Sequence, residues 1–210
     1  MTTVPTHTPG KKPFTVAARL HEAIEEEWRT QKRFSPLAMP LTALAYTAID
    51  QVDGHQDMMV EVMAAFVDTD TLTYRSQTPG LLQDRQKAQW DPLLQWISKE
   101  FGGIWHTTQG VMPIEQSESI HQAIAAYLRT LSNFELAATS LLASLCSSLI
   151  LAIAVQKKRL SAQQAFELSR LEEDTQAEQW GVDPQAAQRA QKLQEEIVAA
   201  GRFLHLLETH

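Results

Sequence analysis

The segment from Leu136 to Val155 contains no Asp, Glu, Lys or Arg, and a helix of roughly 20 apolar residues is long enough to cross a bilayer. A chain with such a stretch must either lay it through a membrane or bury it as a central helix of a protein core. Thr139, Ser140, Ser144, Ser147 and Ser148, together with many alanines, keep its apolarity low. On a helix the four serines share one stripe, while Leu141, Leu145 and Leu149 share another. A small-residue face lets neighbouring helices approach closely, so a core helix is the expectation and a membrane-anchored helical bundle the alternative. The rest of the chain can supply that core. It has 210 residues, 44% hydrophobic and 20% charged, which is globular rather than disordered composition. A chain of this size buries roughly two thirds or more of its unfolded surface.

Charge and cysteine usage remove several functions. The formal net charge is -7, from 18 Lys and Arg against 25 Asp and Glu. Only short basic clusters occur, such as Lys11-Lys12 and Lys157-Lys158-Arg159, so a nucleic-acid partner is not expected. Cys146 is the single cysteine and lies in the apolar stretch. No intrachain disulfide or cysteine zinc site can form, and the thiol reads as inert packing. Met1 to Pro13 is polar, with Thr, Pro and Gly, and predicts neither a secretory signal nor an Arg-rich presequence.

Hydrophobic periodicity predicts helices over Phe14 to Gln31, Pro40 to Val52 and Asp57 to Phe66. Residues 71–75, Thr-Leu-Thr-Tyr-Arg, are β-prone and read as a strand; residues 104–108, Ile-Trp-His-Thr-Thr, read as a second strand able to pair with it. Between them Pro79-Gly80 opens a helix that Gly102-Gly103 closes, with Asp91-Pro92 as either an N-cap or a tolerated kink. Beyond Pro113 the pattern is helical over about 117–131, 134–156, 161–179 and 184–207. Ser161 with Gln164 is a capping box, and Asp183-Pro184 a capping carboxylate before a first-turn proline. The fold class is therefore α+β: a small mixed α/β N-terminal domain, residues 1–112, followed by an all-helical C-terminal bundle, residues 113–210.

No phosphate-binding glycine loop, zinc spacing or nucleophile elbow occurs. His21, His106, His121 and His205 read as surface or satisfied core residues, and Glu25-Glu26-Glu27 as a solvated helix face. Asp68 and Asp70 read as capping or turn residues ahead of the first strand, and Trp28, Trp90, Trp96 and Trp105 as core or sub-domain interface residues. One carboxylate departs from this pattern. With Leu168 at zero on the helical wheel, Leu171 falls near -60° and Ala165 near 60°, so Glu172, near 40°, lies on the apolar face. Glu173 and Asp174 point away, at about 140° and 240°. A carboxylate on an apolar face needs a partner or a cleft. A structural salt bridge to an Arg on a neighbouring helix and a functional role both fit.

Four runs resemble a known family. They are Lys32-Arg33-Phe34 with Met39-Pro40-Leu41-Thr42 and Thr47-Ala48-Ile49-Asp50; Asp68-Thr69-Asp70-Thr71-Leu72-Thr73-Tyr74-Arg75; Arg85-Gln86 with Trp90-Asp91-Pro92-Leu93-Leu94; and Leu168-Ser169-Arg170-Leu171-Glu172-Glu173-Asp174-Thr175-Gln176 with Trp180-Gly181. In this order, from about Thr8 to Leu207, the chain resembles the alpha-subunit assembly chaperones of ATP synthase, the ATP twelve-type family of alphaproteobacteria and mitochondria. The resemblance implies an N-terminal α/β domain and a C-terminal helical domain. It implies a monomer that is no enzyme and uses no cofactor, nucleotide or metal. Such a protein binds the unassembled alpha subunit of the F-type ATP synthase head and prevents its aggregation until the beta subunit replaces it. Its place is the bacterial cytoplasm or the mitochondrial matrix, with no stable membrane insertion. The family's functional glutamate falls on Glu172, and its motif assigns client binding to Glu172, Glu173, Leu168 and Gln176. One departure stands out: family members begin with a β-hairpin upstream of the step matched by Thr8-Pro9, and it is missing here. The alternative functions are a small acid/base enzyme using Glu172 with a nearby His or Asp, and the membrane-anchored bundle.

Overall fold

The computed structural model describes residues 3–31 and 33–208; Lys32, in the first family-like run, lies outside the described residues. Near the start, His7 and Pro13 form an antiparallel bridge, closed by hydrogen bonds from Thr8 N to Lys12 O (2.9 Å) and Phe14 N to Thr6 O (3.0 Å). Because Phe14 is held in that loop, helix α1 (Ala18–Thr30) begins later than its periodicity suggested. It still buries the expected stripe of Leu20, Ile24 and Trp28.

Helix α2 (Pro40–Thr47) starts on its proline and continues as a π-helical turn, Ala48–Val52, before Gly54 takes φ +84°. Its free N-terminal amides are capped from another helix. The Glu27 carboxylate accepts from Leu41 N and Thr42 N, both at 2.9 Å, and from Thr42 Oγ1 at 2.7 Å. The expected solvated face at residues 25–27 is thus corrected at one position: Glu27 is a long-range helix cap.

Helix α3 (Gln56–Ala64) passes into a 3₁₀ turn at Ala65–Asp68. The strand expected over residues 71–75 shrinks to β1 (Tyr74–Arg75). Asp70 accepts a hydrogen bond from Leu72 N and winds Thr71–Thr73 into a second 3₁₀ turn. Helix α4 (Leu81–Phe101) runs unbroken through Pro92, so Asp91 caps no new helix, and Gly102 ends it at φ +78°. The partner strand β2 (Thr108–Gln109) pairs in parallel with β1, Tyr74 opposite Thr108. It starts only where the expected strand ended, because the Gln116 side chain occupies His106. The amide of Gln116 accepts from His106 N and donates to His106 O, each at 2.9 Å.

Helices α5 (Glu118–Leu128), α6 (Asn133–Cys146) and α7 (Leu149–Gln156) follow. The apolar stretch is therefore two helices. Ser147 takes a left-handed φ of 49°, and the Ser148 hydroxyl accepts from Leu151 N at 3.1 Å to cap α7. The break is held from outside the stretch: Thr71 N donates to Ser147 O (3.0 Å), and the wholly buried Asp70 carboxylate accepts from Ser148 Oγ (2.8 Å) and Ile150 N (2.9 Å). Among the described residues no helix is long and apolar enough to cross a membrane, so the span behind the membrane-anchored alternative is gone. Cys146 is buried, and burial pushes its thiol up to about 12.

The helix expected over 161–179 is also two, α8 (Ala162–Ser169) and α9 (Leu171–Trp180), interrupted at Arg170. The Ser161–Gln164 capping box and the Asp183 cap of α10 (Pro184–Leu206) form as expected. Helix α6 packs on α2, α3, α7, α8 and α10, and one buried cluster runs from Leu20 to Phe203. Where α10 crosses α8 the approach is close: a Cβ at Gly201 would stand 2.5 Å from Ala162 Cβ.

Candidate functional site

Helix α4 lies against the α8–α9 joint and grips it with three side chains. Trp90, fully buried, donates from Nε1 to Leu168 O at 3.1 Å. Arg85 donates to Thr175 Oγ1 at 3.1 Å and to Glu178 Oε2 at 2.8 Å. Gln86, also fully buried, donates from Nε2 to Glu172 Oε1 at 2.6 Å. Although Arg170 breaks the helix on which the wheel was drawn, the register survives: Leu171 and Thr175 are buried, Glu172 half-buried, Glu173 and Asp174 exposed.

Glu172 forms one wall of a cleft of about 630 Å³. Thr71, Tyr74, Arg75, Ser76, Leu82 and Val111 also line it. Burial pushes the Glu172 carboxyl above its ordinary range, the neighbouring Glu173 charge pushes the same way, and the Gln86 hydrogen bond opposes both. The two nearby guanidinium groups are engaged elsewhere. Arg75 pairs with Asp91 at 2.8 Å and lies 5.3 Å from the centre of the Trp90 ring, while Arg85 pairs with Glu178 at 2.8 Å. Among the described residues no Lys, Arg or His forms an ion pair with Glu172, so the salt-bridge reading of this carboxylate is set aside. Nor does a His or Asp hydrogen-bond to it. Its observed partner is an amide, which exchanges no proton, so the pair that an acid/base enzyme needs is not assembled there.

The other motif residues are spread around this wall. Leu168 is partly buried against the core and contributes its carbonyl to Trp90. Glu173 and Gln176 stand exposed on α9. Sequence reasoning gave no role to Gln86 or to Val111, which lines the cleft and is 91% exposed. The only sequence signal for Gln86 was its place in the Arg85-Gln86 run. Asp68 and Asp70 do act at turns, as expected; Asp68 also accepts from Gln116 N (2.8 Å) and lies 3.1 Å from His121 Nε2. A second groove, of about 650 Å³ and mostly apolar, opens between α2, α6 and α10, with the exposed Leu37 at its edge.

A family model described as ATP12 chaperone protein matches residues 3–98 of the chain. The crystal structure of Atp12 from Paracoccus denitrificans has a TM-score of 0.90 and 36% sequence identity, covering 98% of this chain and 89% of that one. An aspartate-to-lysine mutant of the same Paracoccus protein gives a TM-score of 0.90 and 36% identity, over 97% of this chain and 88% of that one. The mitochondrial protein atp12 of Schizosaccharomyces pombe is 29% identical over 152 residues, 68% of this chain and 52% of that protein. The match thus spans about half the length of this curated relative.

Proposed function

The chain belongs to the ATP12 chaperone family, and on that premise we propose that it holds the unassembled alpha subunit of the F-type ATP synthase head until the beta subunit takes its place. An alpha subunit without its neighbour exposes apolar interface, and contiguous apolar surface drives aggregation. A holder must bind that surface more tightly than water does and less tightly than the permanent partner. This is a binding task; it requires no bond-making chemistry, nucleotide or metal.

The observation that carries the reading is Glu172: a half-buried carboxylate lining a cleft, supported by an amide and, among the described residues, in no ion pair with a cation. Desolvated charge without a counter-charge is costly. A client lysine or arginine entering the cleft offsets that cost, and the exposed Val111 side chain lines the same cleft. Glu173 and Gln176 extend the contact along the exposed face of α9, and Leu168 supports the joint behind it. Residues 1–112 thus supply the cleft floor and residues 113–210 the carboxylate, a division of labour between the two proposed domains. The net charge of -7 favours a cationic contact and disfavours nucleic acid. The protein would act as a monomer, in the bacterial cytoplasm or the mitochondrial matrix.

The test uses affinity-tagged chain and isolated alpha subunit. The tagged protein should retain alpha, suppress its light scattering on warming, and release it when beta is added. Glu172→Lys should abolish suppression while leaving the circular dichroism spectrum intact. Unchanged suppression by that variant removes Glu172 from the contact, and failure of the wild type to retain alpha removes the reading itself.

A further inference from the structure

We infer that Gln86 is the positioning residue for Glu172: its buried amide joins the cleft floor at Ser76 to the carboxylate, sets the direction of that carboxylate and keeps it charged for a cationic client group. The inference rests on the reading just given and extends it from the contacting group to the group behind it.

Gln86 is 0% exposed, and its amide is satisfied at both ends. Oε1 accepts from Ser76 N at 2.9 Å, and Nε2 donates to Glu172 Oε1 at 2.6 Å. The orientation of the amide follows from its neighbours. A backbone N–H only donates and an ionised carboxylate only accepts, so the flipped amide would face donor with donor and acceptor with acceptor. The carboxylate is thereby held through one oxygen, and among the described residues no protein donor meets Oε2. That oxygen is left for a ligand in the cleft that Glu172 lines.

The charged and titratable groups around Glu172 leave Gln86 as its main support. Tyr74 and Arg75 face the cleft from β1, Arg85 and Asp91 lie on α4, and Glu173 and Glu178 on α9. Both arginines are paired with the carboxylates of Asp91 and Glu178, and Glu173 adds like charge. Burial and Glu173 favour the neutral form of Glu172, and the Gln86 bond favours the charged one. Gln86 is not what docks α9, because the bonds from Arg85 to Thr175 and Glu178 and from Trp90 to Leu168 stand without it. A positioning role and a scaffolding role therefore have different signatures.

The experiment follows the Glu172 carboxyl by carbon-13 NMR through a pH titration of the protein alone, in wild type and Gln86→Met. Loss of one hydrogen bond to a charged group should raise the titration midpoint by about one pH unit. Gln86→Leu likewise lacks the donor and adds no charge, so it should move the midpoint the same way and provides a second measurement if the methionine variant does not fold. Alpha-subunit retention should then fall about threefold at a pH midway between the wild-type and variant midpoints, and the difference should vanish in a Glu172→Gln background. An unmoved midpoint overturns the inference whatever alpha does. A moved midpoint with no retention of alpha by the wild type supports the positioning role and overturns the client reading instead.

Discussion

Replacing Asp70 by alanine probes the contact that divides the long apolar stretch. The carboxylate is fully buried and accepts from Leu72 N at 3.0 Å, Ser148 Oγ at 2.8 Å and Ile150 N at 2.9 Å. Alanine strands the two backbone N–H groups; Ser148 keeps its contact with Leu151 N. At about 1–3 kcal/mol for each stranded buried donor, the loss against protonated Asp70 is roughly 2–6 kcal/mol. A second effect opposes it as the pH rises. Burial pushes the Asp70 carboxyl up from 3.8 to about 6 in spite of those donors. The native state therefore holds the proton more tightly than the unfolded chain does. The stability linked to that proton is complete below 3.8 and lost as the pH climbs through about 6. Between the two plateaus this is about 3 kcal/mol, at roughly 1.4 kcal/mol per pKa unit. The alanine variant has no such loss, so its destabilisation should be about 2 kcal/mol larger near pH 4.5 than near pH 8. Urea unfolding followed by circular dichroism at both pH values measures the difference, since every other titrating group is common to the two proteins. A cost that is equal at both pH values, or larger in alkali, refutes the reasoning: the donors would then be holding the carboxylate ionised against its burial.

Two further perturbations test the packing around the site. Glu27→Ala removes the acceptor for the first turn of α2 and should cost about 1–2 kcal/mol, lowering Tm by roughly 3–6 °C; an unchanged melting curve would mean that water caps α2 equally well. Gly201→Val puts a side chain where even a Cβ stands 2.5 Å from Ala162 and should cost about 1–3 kcal/mol in urea unfolding. Ala162→Gly in the same chain should recover part of that loss, and absence of recovery would place the strain elsewhere.

What could be read in the sequence was local. The Ser161–Gln164 box and the Asp183-Pro184 start work within one helical turn, and both formed. The stripe of Leu20, Ile24 and Trp28 needs only a regular helix. What could not be read depends on distant partners. Nothing inside residues 136–155 announces the break at Ser147, because Thr71 and Asp70 impose it from far upstream. Glu27 looks like one of three solvated glutamates until α2 arrives beneath it. Residues 71–75 have strand composition, yet the Asp70 side chain turns the first three of them into a 3₁₀ helix. The candidate site divides the same way. Glu172 was visible because its angular position relative to Leu168, Leu171 and Thr175 survives the short break at Arg170. Gln86 was not, because its meaning comes from Ser76 and Glu172, elements that meet only in the folded chain.

The pin at Asp70 and Thr71 also orders events during synthesis. Both residues leave the ribosome before the uncharged stretch does, since translation runs from residue 70 toward residue 155. The nascent chain therefore already carries the device that splits the stretch when its last leucines emerge. A rearrangement of the same segments with the stretch translated first would expose it, undivided, to any membrane insertion machinery nearby.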